Sequence, residues 1–199
     1  MRVQKKRIIL PIIVFLLGMT ALGGSLYNIR SIQRKQSKEM ANLNAMTYSE
    51  RMKTDIMQGV GVTDTLKQIL ISENGTIEKF PEVAEDMMTD SIQSIQIAPD
   101  DIVTEIYPEE GNEAGKIDLI NDADRGEISR YARDHHVDIM QGPFPLKQGG
   151  YGMAVRNPVY LKNEDGEEEF WGFTIVIIRV PEIFSDSVKA LSDFGYDYT

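Results

Sequence analysis

The chain has 199 residues, of which 42% are hydrophobic and 26% are charged, and it contains no cysteine. This length suffices for one hydrophobic core, and the lack of cysteine excludes disulfides, thiolate metal sites and thiol nucleophiles. Residues 1–39 hold eight Lys/Arg and one Glu (net +7), whereas residues 40–199 hold 13 Lys/Arg and 30 Asp/Glu (net −17). Because phosphate backbones repel so acidic a body, we expect no nucleic acid as a partner.

The N-terminal segment predicts one membrane-spanning helix. Residues 1–7 carry four positive charges, and residues 8–27 then contain no Asp, Glu, Lys or Arg. Twenty helical residues cover the roughly 30 Å hydrocarbon layer of a membrane. We favour a retained anchor over a cleaved signal peptide, because the apolar run of a signal peptide is usually only about 7–15 residues long.

The orientation of this span is not set by the positive-inside rule, since four positive charges also follow it within residues 28–39. The positive charges before the span directly precede the apolar run, and a long acidic domain follows the span. We therefore expect residues 1–7 to be cytoplasmic and the residues from about 30 onward to be extracytoplasmic, in a single-pass protein of the cell membrane.

A long juxtamembrane signalling helix is expected over residues 28–58. This segment contains no Pro or Gly, and its apolar side chains recur at steps near three and four residues. Such a stripe suits either a helix that pairs with a second copy, giving a homodimer, or a helix that docks on its own domain. Gly59 and Gly61 are predicted to break the helix, so that the sensor domain covers residues 59–199.

The next elements change from helix to strand. Thr63 is predicted to cap a helix that ends at Asn74, and Pro81 is predicted to open a second, short helix. Residues 91–98 and 101–108 alternate apolar and polar side chains, which predicts a β-hairpin.

The second half of the chain predicts a helix and three further strands. Asp124 and Glu127 have the spacing of a capping box for a helix that runs to His135. Strands are expected near residues 137–140, 152–161 and 168–180, and a helix after Pro181. The last strand is apolar almost throughout, which places it at the centre of the sheet. The fold class is therefore α+β, a PAS-like five-stranded antiparallel sheet with flanking helices, preceded by a transmembrane helix and a long N-terminal helix.

A series of short motifs follows in the same part of the chain. They are Ala98-Pro99-Asp100, Tyr107-Pro108, Gly111-Asn112-Glu113, Asp118-Leu119, Ala132-Arg133-Asp134, Gly142-Pro143-Phe144, Gln148-Gly149-Gly150, Pro158-Val159-Tyr160 and Phe170-Trp171-Gly172-Phe173. Their order and spacing over residues 91–184 resemble the CHASE domain, the extracytoplasmic sensory domain of membrane-bound diguanylate cyclases and histidine kinases.

The resemblance implies a sensor that binds a small molecule and transmits a signal through its flanking helices to a cytoplasmic output. Members usually continue into a second span and a cyclase, phosphodiesterase or histidine kinase region. The sequence given stops at Thr199 before any such region, which predicts a fragment of a longer receptor or a truncated product. We expect no enzyme activity and no cofactor in these residues. The alternative is a protein-interaction or dimerisation module without a ligand.

The chain's two histidines, His135 and His136, follow Asp134 and are the most obvious candidates for a metal site. Metal-dependent hydrolysis needs three or more converging ligands. A protonatable side chain in the last turn of a helix also interacts favourably with the partial negative charge there. We interpret both histidines as structural, keep a pH-sensitive role as the alternative, and expect neither a metal nor catalysis.

A ligand in a PAS-like fold lies between the sheet and a covering segment. Residues 142–150 are the candidate cover, or else only a rigid turn. Phe144 and Leu146 are candidates to close the apolar part of the site, and Gln148 is a candidate to hydrogen-bond the ligand.

Three further residues are ligand-binding candidates, each with a structural alternative. Arg156 suits an anionic group such as a carboxylate, or pairs with one of the chain's many acids. Asp118 accepts a hydrogen bond from the ligand or caps the next turn. Tyr160 contacts the ligand or, as aromatic side chains in central strands usually do, packs in the core.

Overall fold

Residues 2–110, 115 and 117–181 are described by the structure, a computed structural model, with side chains from residue 12 onward. The elements in chain order are α1 (Arg2–Ser72), α2 (Phe80–Met87), β1 (Ile92–Pro99), β2 (Glu105–Tyr107), α3 (Gly126–His135), β3 (Ile139–Pro145), β4 (Tyr151–Lys162) and β5 (Glu168–Val180). The chain divides into two units, Met1–Glu50 and Arg51–Thr199. The helix expected after Pro181 lies outside the described residues.

In the first unit, the described residues form the N-terminal part of α1. Among the described residues, α1 is the one helix whose length and composition suffice to cross a membrane. Its large apolar side chains are exposed, for example Phe15, Leu22 and Leu43 at 66%, 64% and 59%. An exposed apolar surface of this extent is typical of contact with lipid or with another helix.

The helix break predicted at Gly59 and Gly61 is wrong, because α1 continues to Ser72. Gly59 lies against the sheet, where an added Cβ would come within 2.5 Å of the Ile178 side chain. The glycine therefore serves a close approach of helix and strand rather than a break.

The predicted capping role of Thr63 is also wrong. Thr63 is fully buried inside α1, and its hydroxyl donates to the Val60 carbonyl at 2.8 Å. The expected end of the helix is confirmed, since Asn74 and Gly75 have φ values of 53° and 88° and terminate α1. Gly75 ends the helix and Gly59 does not, because only Gly75 adopts the left-handed conformation.

We expect Gly61→Ala to raise the free energy of unfolding by about 0.5–1 kcal/mol, because alanine is the better residue inside a helix. A Cβ at Gly61 meets no atom within 4 Å. Urea unfolding of the full chain, followed by the fluorescence of the single tryptophan, Trp171, measures the change. Gly59→Ala is the matched control and should give less gain or a loss. A loss of stability in Gly61→Ala would contradict a continuous helix.

The five strands form one antiparallel sheet in the order β2-β1-β5-β4-β3. This confirms the α+β class, the hairpin of β1 with β2 and the central position of β5. The second strand of that hairpin is shorter than expected, and β3 runs from Ile139 to Pro145 rather than over residues 137–140.

Both faces of the sheet are covered, which explains why β5 is apolar over most of its length. One face packs against α2 and the C-terminal part of α1 in a cluster that includes Leu66, Phe80 and Val176. The other face packs against α3 in a cluster that includes Ala132 and Phe173.

The predicted capping box of α3 is wrong. The helix begins at Gly126, and its N-cap, Arg125, makes no side-chain capping bond. Asp122 instead accepts hydrogen bonds from the backbone N–H groups of Asp124 and Arg125, at 2.9 and 3.0 Å. The predicted C-terminal end at His135 is confirmed.

Candidate functional site

A cavity of about 290 Å³ lies on the face of the sheet that carries α3. Its sheet side is formed by four strands, which contribute Gln93, Ser94 and Gln96 of β1, Ile106 of β2, Arg156 of β4, and Ile175 and Ile177 of β5. The covering side is formed by Ile117, Leu119 and residues 144–148. We call this space the Arg156 cavity. Its size is close to the lower limit of small-molecule sites, which span roughly 300–1,000 Å³.

The segment predicted as a cover, residues 142–150, contributes to the cavity in a different form. Its first half belongs to β3, which ends at Pro145. The remainder is a tight turn in which the Leu146 N–H donates to the Gly150 carbonyl at 3.0 Å. Only residues 146–150 therefore form a turn, because the polypeptide stays paired with β4 as far as Pro145.

Four of the six predicted ligand-binding residues meet in this cavity. Phe144, Leu146, Gln148 and Arg156 all line it. Phe144 and Leu146 lie on the covering side, while Arg156 is buried on the sheet side with an exposed fraction of 2%. The structure thus places an arginine opposite apolar side chains in one cavity.

Arg156 is held by a glutamine rather than by an acid. Its Nη1 donates to the Gln141 Oε1 at 2.7 Å, and the Gln141 amide donates to the Asp124 carbonyl at 2.7 Å. The Nε atom of Arg156 is buried and has no hydrogen-bond partner among the described residues. In the same part of the chain, the nearby Asp122 is ion-paired with Arg125 instead.

Burial lowers the pKa of Arg156 to about 10, and the charge of Arg125 adds to this effect, while Asp122 opposes it. A pKa of 10 still leaves the guanidinium charged at neutral pH. The cost of burying this charge is therefore fully present below pH 10, and stability is regained only as the pH rises from there towards the unfolded value.

We expect Arg156→Met to raise the free energy of unfolding of the ligand-free chain by about 1–2 kcal/mol, because it replaces a buried charge by an apolar side chain of similar length. Thermal and urea unfolding at pH 7 measure this change. Arg179→Met is the matched control, since Arg179 also bonds a glutamine of the neighbouring strand, Gln93, but is exposed. Destabilisation by Arg156→Met would contradict an uncompensated charge.

Sequence reasoning missed the polar residues of β1. Ser94 and Gln96 are 1% and 7% exposed, and the Gln96 amide donates to the Ser94 hydroxyl at 2.9 Å. The alternation in residues 91–98 suggested an ordinary hairpin strand. The apolar character of β5 could have revealed these residues. Because β1 pairs with β5 and both faces of β5 are covered, β1 has no solvated face for its polar side chains.

The two remaining candidates lie outside the Arg156 cavity. Asp118 caps the following turn: its carboxylate accepts the N–H groups of Ile120 and Asn121 at 3.1 and 2.9 Å. Hydrogen bonds from the Asn121 side chain and backbone lower the pKa of Asp118. Tyr160 packs edge-on against Phe170, and its hydroxyl donates to the Arg133 carbonyl. Asp118 thus follows its structural alternative, whereas Tyr160 is half-buried and packs beside the core rather than in it.

The histidines lie at the end of α3 and are exposed. His136 has a φ of 56° and stacks on Tyr160 with 4.0 Å between ring centroids, and His135 stacks on Tyr131. Among the described residues, no group of three or more His, Asp or Glu side chains is arranged to hold a metal.

A second cavity, of about 530 Å³, adjoins the first. Its charged side chains, Arg51, Asp55, Asp90 and Arg179, are exposed or half-buried. The Arg156 cavity is the better candidate site, because its polar groups Ser94, Gln96 and Arg156 are desolvated and so recognise ligand groups more strongly.

Comparisons with known proteins agree with the fold. Among solved structures, the chain is similar to an "Extracellular ligand binding receptor from Desulfohalobium retbaense DSM5692", with a TM-score of 0.53 and 12% sequence identity. The match covers 72% of this chain but 25% of that one, so the chain spans about a quarter of the receptor's length. At this identity the likeness shows a common fold alone.

The family comparison is more specific. No curated protein sequence matches the chain significantly. The family model of the CHASE domain, which is a sensory domain, matches residues 47–197, well over half of the chain. This confirms the resemblance that the short motifs indicated. The chain belongs to the CHASE domain family.

Proposed function

We propose that this chain is a membrane-anchored extracytoplasmic sensor that binds a small molecule in the Arg156 cavity. Residues 1–7 are its cytoplasmic start, residues 8–27 its membrane span and residues 28–58 its juxtamembrane helix. The sensor, expected from residue 59, begins on this proposal near residue 47, where the family match starts. The signal is passed to a cytoplasmic output, a cyclase or histidine kinase region, that these 199 residues do not include.

The observation that carries this proposal is the composition of the Arg156 cavity. Buried polar side chains form part of its sheet side, and apolar side chains form most of the remainder. A few placed polar groups in a mainly apolar cavity are typical of small-molecule sites. The membership of a sensory family supports a ligand rather than a substrate, and the PAS-like plan remains an expectation.

A thermal-shift screen of the full chain in lipid nanodiscs tests the proposal. Amino acids, nucleobase derivatives and organic acids form the panel, and we expect at least one compound to raise the melting temperature in a saturable manner. Ser94→Leu, which fills part of the Arg156 cavity, should abolish the shift. Ser72→Leu, at the exposed end of α1, is the control and should retain it. The proposal fails if no compound stabilises the chain, or if Ser94→Leu responds like the wild type.

A dimerisation module without a ligand is the second candidate function. It is favoured by the exposed apolar side chains of α1 after the proposed span, such as Ile32, Met40, Leu43 and Met46 at 57–62% exposure. Sedimentation of the full chain in detergent would then show a dimer that Leu43→Lys dissociates, together with no response in the ligand screen.

A further inference from the structure

The Arg156 guanidinium is a buried positive charge. It is 2% exposed and lines the Arg156 cavity, yet no carboxylate lies within ion-pair distance of it among the described residues. A buried charge without a counterion is costly. Such a charge is compensated when a ligand of opposite charge enters the same space.

The hydrogen bonds around Arg156 leave one side of the guanidinium available. Gln141 occupies Nη1, whereas Nε has no partner among the residues that the structure describes. The fork of donors on an arginine matches the two oxygens of a carboxylate. Because this Nε atom is buried, an anion in the cavity reaches it only when the arginine side chain moves.

The remainder of the cavity indicates the body of the ligand. Ile106, Ile175 and Phe144 supply apolar surface. The other buried polar side chains of the sheet side are Gln93, Ser94 and Gln96. Arg125 lines the cavity as well, but its Nη1 pairs with Asp122. Arg156 is thus the one buried cation of the cavity among the described residues, since Lys147, which also lines it, is exposed.

We propose that the Arg156 cavity binds a small monocarboxylate with an apolar body, whose carboxylate pairs with Arg156 and whose body lies between Phe144 and Ile175. This inference rests on the proposed function and names the ligand class of the same site. A phosphate ester carries roughly 1.5 to 2 negative charges at pH 7 and is a poorer match for the one buried guanidinium of this cavity.

Matched probe pairs test the charge of the ligand. The probes are 3-phenylpropionate and 4-methylpentanoate, their neutral amides 3-phenylpropanamide and 4-methylpentanamide, and phenyl phosphate. Their affinities for the full chain in nanodiscs are measured by calorimetry at pH 7. We expect each carboxylate to bind roughly 10- to 100-fold more tightly than its amide, as a hydrogen bond to a charged group provides.

Variants assign this preference to Arg156. In Arg156→Met the carboxylate and amide of each pair should bind within about threefold of each other, since the charged hydrogen bond is gone. Arg156→Lys keeps the charge without the fork and should retain part of the preference. Lys162→Met, at the exposed end of β4 and outside this cavity, should retain all of it.

Equal binding of acids and amides to the wild type, a preference that survives in Arg156→Met, or stronger binding of phenyl phosphate would overturn the inference. So would the absence of binding by every probe. These results leave the proposed function standing if a neutral compound from the broad screen stabilises the wild type and fails with Ser94→Leu. If that screen also fails, the proposed function falls with the inference.

Discussion

Gly172→Ala is expected to lower the free energy of unfolding by roughly 3–5 kcal/mol, from backbone strain and overpacking together. Gly172 has a φ of 148°, and a Cβ at this position would lie 2.0 Å from the Ala98 carbonyl oxygen. It pairs with Pro99 of β1 on one side and Val159 of β4 on the other. Because the contact is with backbone between two paired strands, the clash is relieved only by separating β1 from β5.

Gly166→Ala separates the two contributions to this cost. Gly166 also has a positive φ, 81°, but a Cβ there meets no atom within 4 Å. It should therefore show backbone strain alone, about 1–2 kcal/mol. Urea unfolding of both variants, followed by circular dichroism, gives the comparison. Equal losses in the two variants would show that β1 and β5 are not held as closely as described.

Leu70→Ala is expected to cost about 2–5 kcal/mol of unfolding free energy, as for other large-to-small changes in a core. Leu70 is fully buried and belongs to the same cluster as Phe80 and Ile95. The neighbouring Ile71 on the same helix is 44% exposed, so Ile71→Ala should cost less than about 1 kcal/mol.

The contrast between these two variants tests whether the C-terminal part of α1 is a structural component of the sensor. Thermal unfolding of the full chain is the measurement. The loss in Leu70→Ala should exceed that in Ile71→Ala at least twofold. Similar small losses in both variants would indicate that the sensor stays folded when this part of α1 is detached from its core.

Much of the fold could be predicted from the sequence because its patterns are set by burial. The uninterrupted apolar run of β5 requires cover on both faces, and β5 is the central strand with clusters on each side. The turn at Asp165 and Gly166 was predictable for a local reason, since Gly166 adopts a positive φ and Asn163 accepts the N–H groups of Asp165 and Glu167.

The errors arose where tertiary contacts override local preference. Gly59 is tolerated inside α1 because the helix packs closely on Ile178, which no local rule reveals. The capping box was predicted at Asp124, but Asp122, which is an equally good capping residue by type, instead caps the turn that precedes α3. Only the surrounding chain determines which carboxylate reaches the free N–H groups, and in the structure it is Asp122.

The candidate site was partly predictable for a related reason. Two residues that line the cavity are conspicuous in the sequence. They are Arg156, a charged residue in an apolar strand, and the aromatic Phe144. Gln96 and Ser94 were not conspicuous, since polar residues at alternate positions of a strand normally face water. Asp118 and Tyr160 were included on residue type, and the structure gives each of them an intramolecular partner.

Hydrogen–deuterium exchange of the full chain tests the central claim, that a small molecule binds in the Arg156 cavity, most directly. The measurement compares the free chain with the chain saturated by the compound that raises its melting temperature most. Binding in this cavity should slow exchange in residues 93–96 and 144–148, which border the cavity from both sides. Protection confined to residues 29–46 of α1, or no protection anywhere, would contradict it.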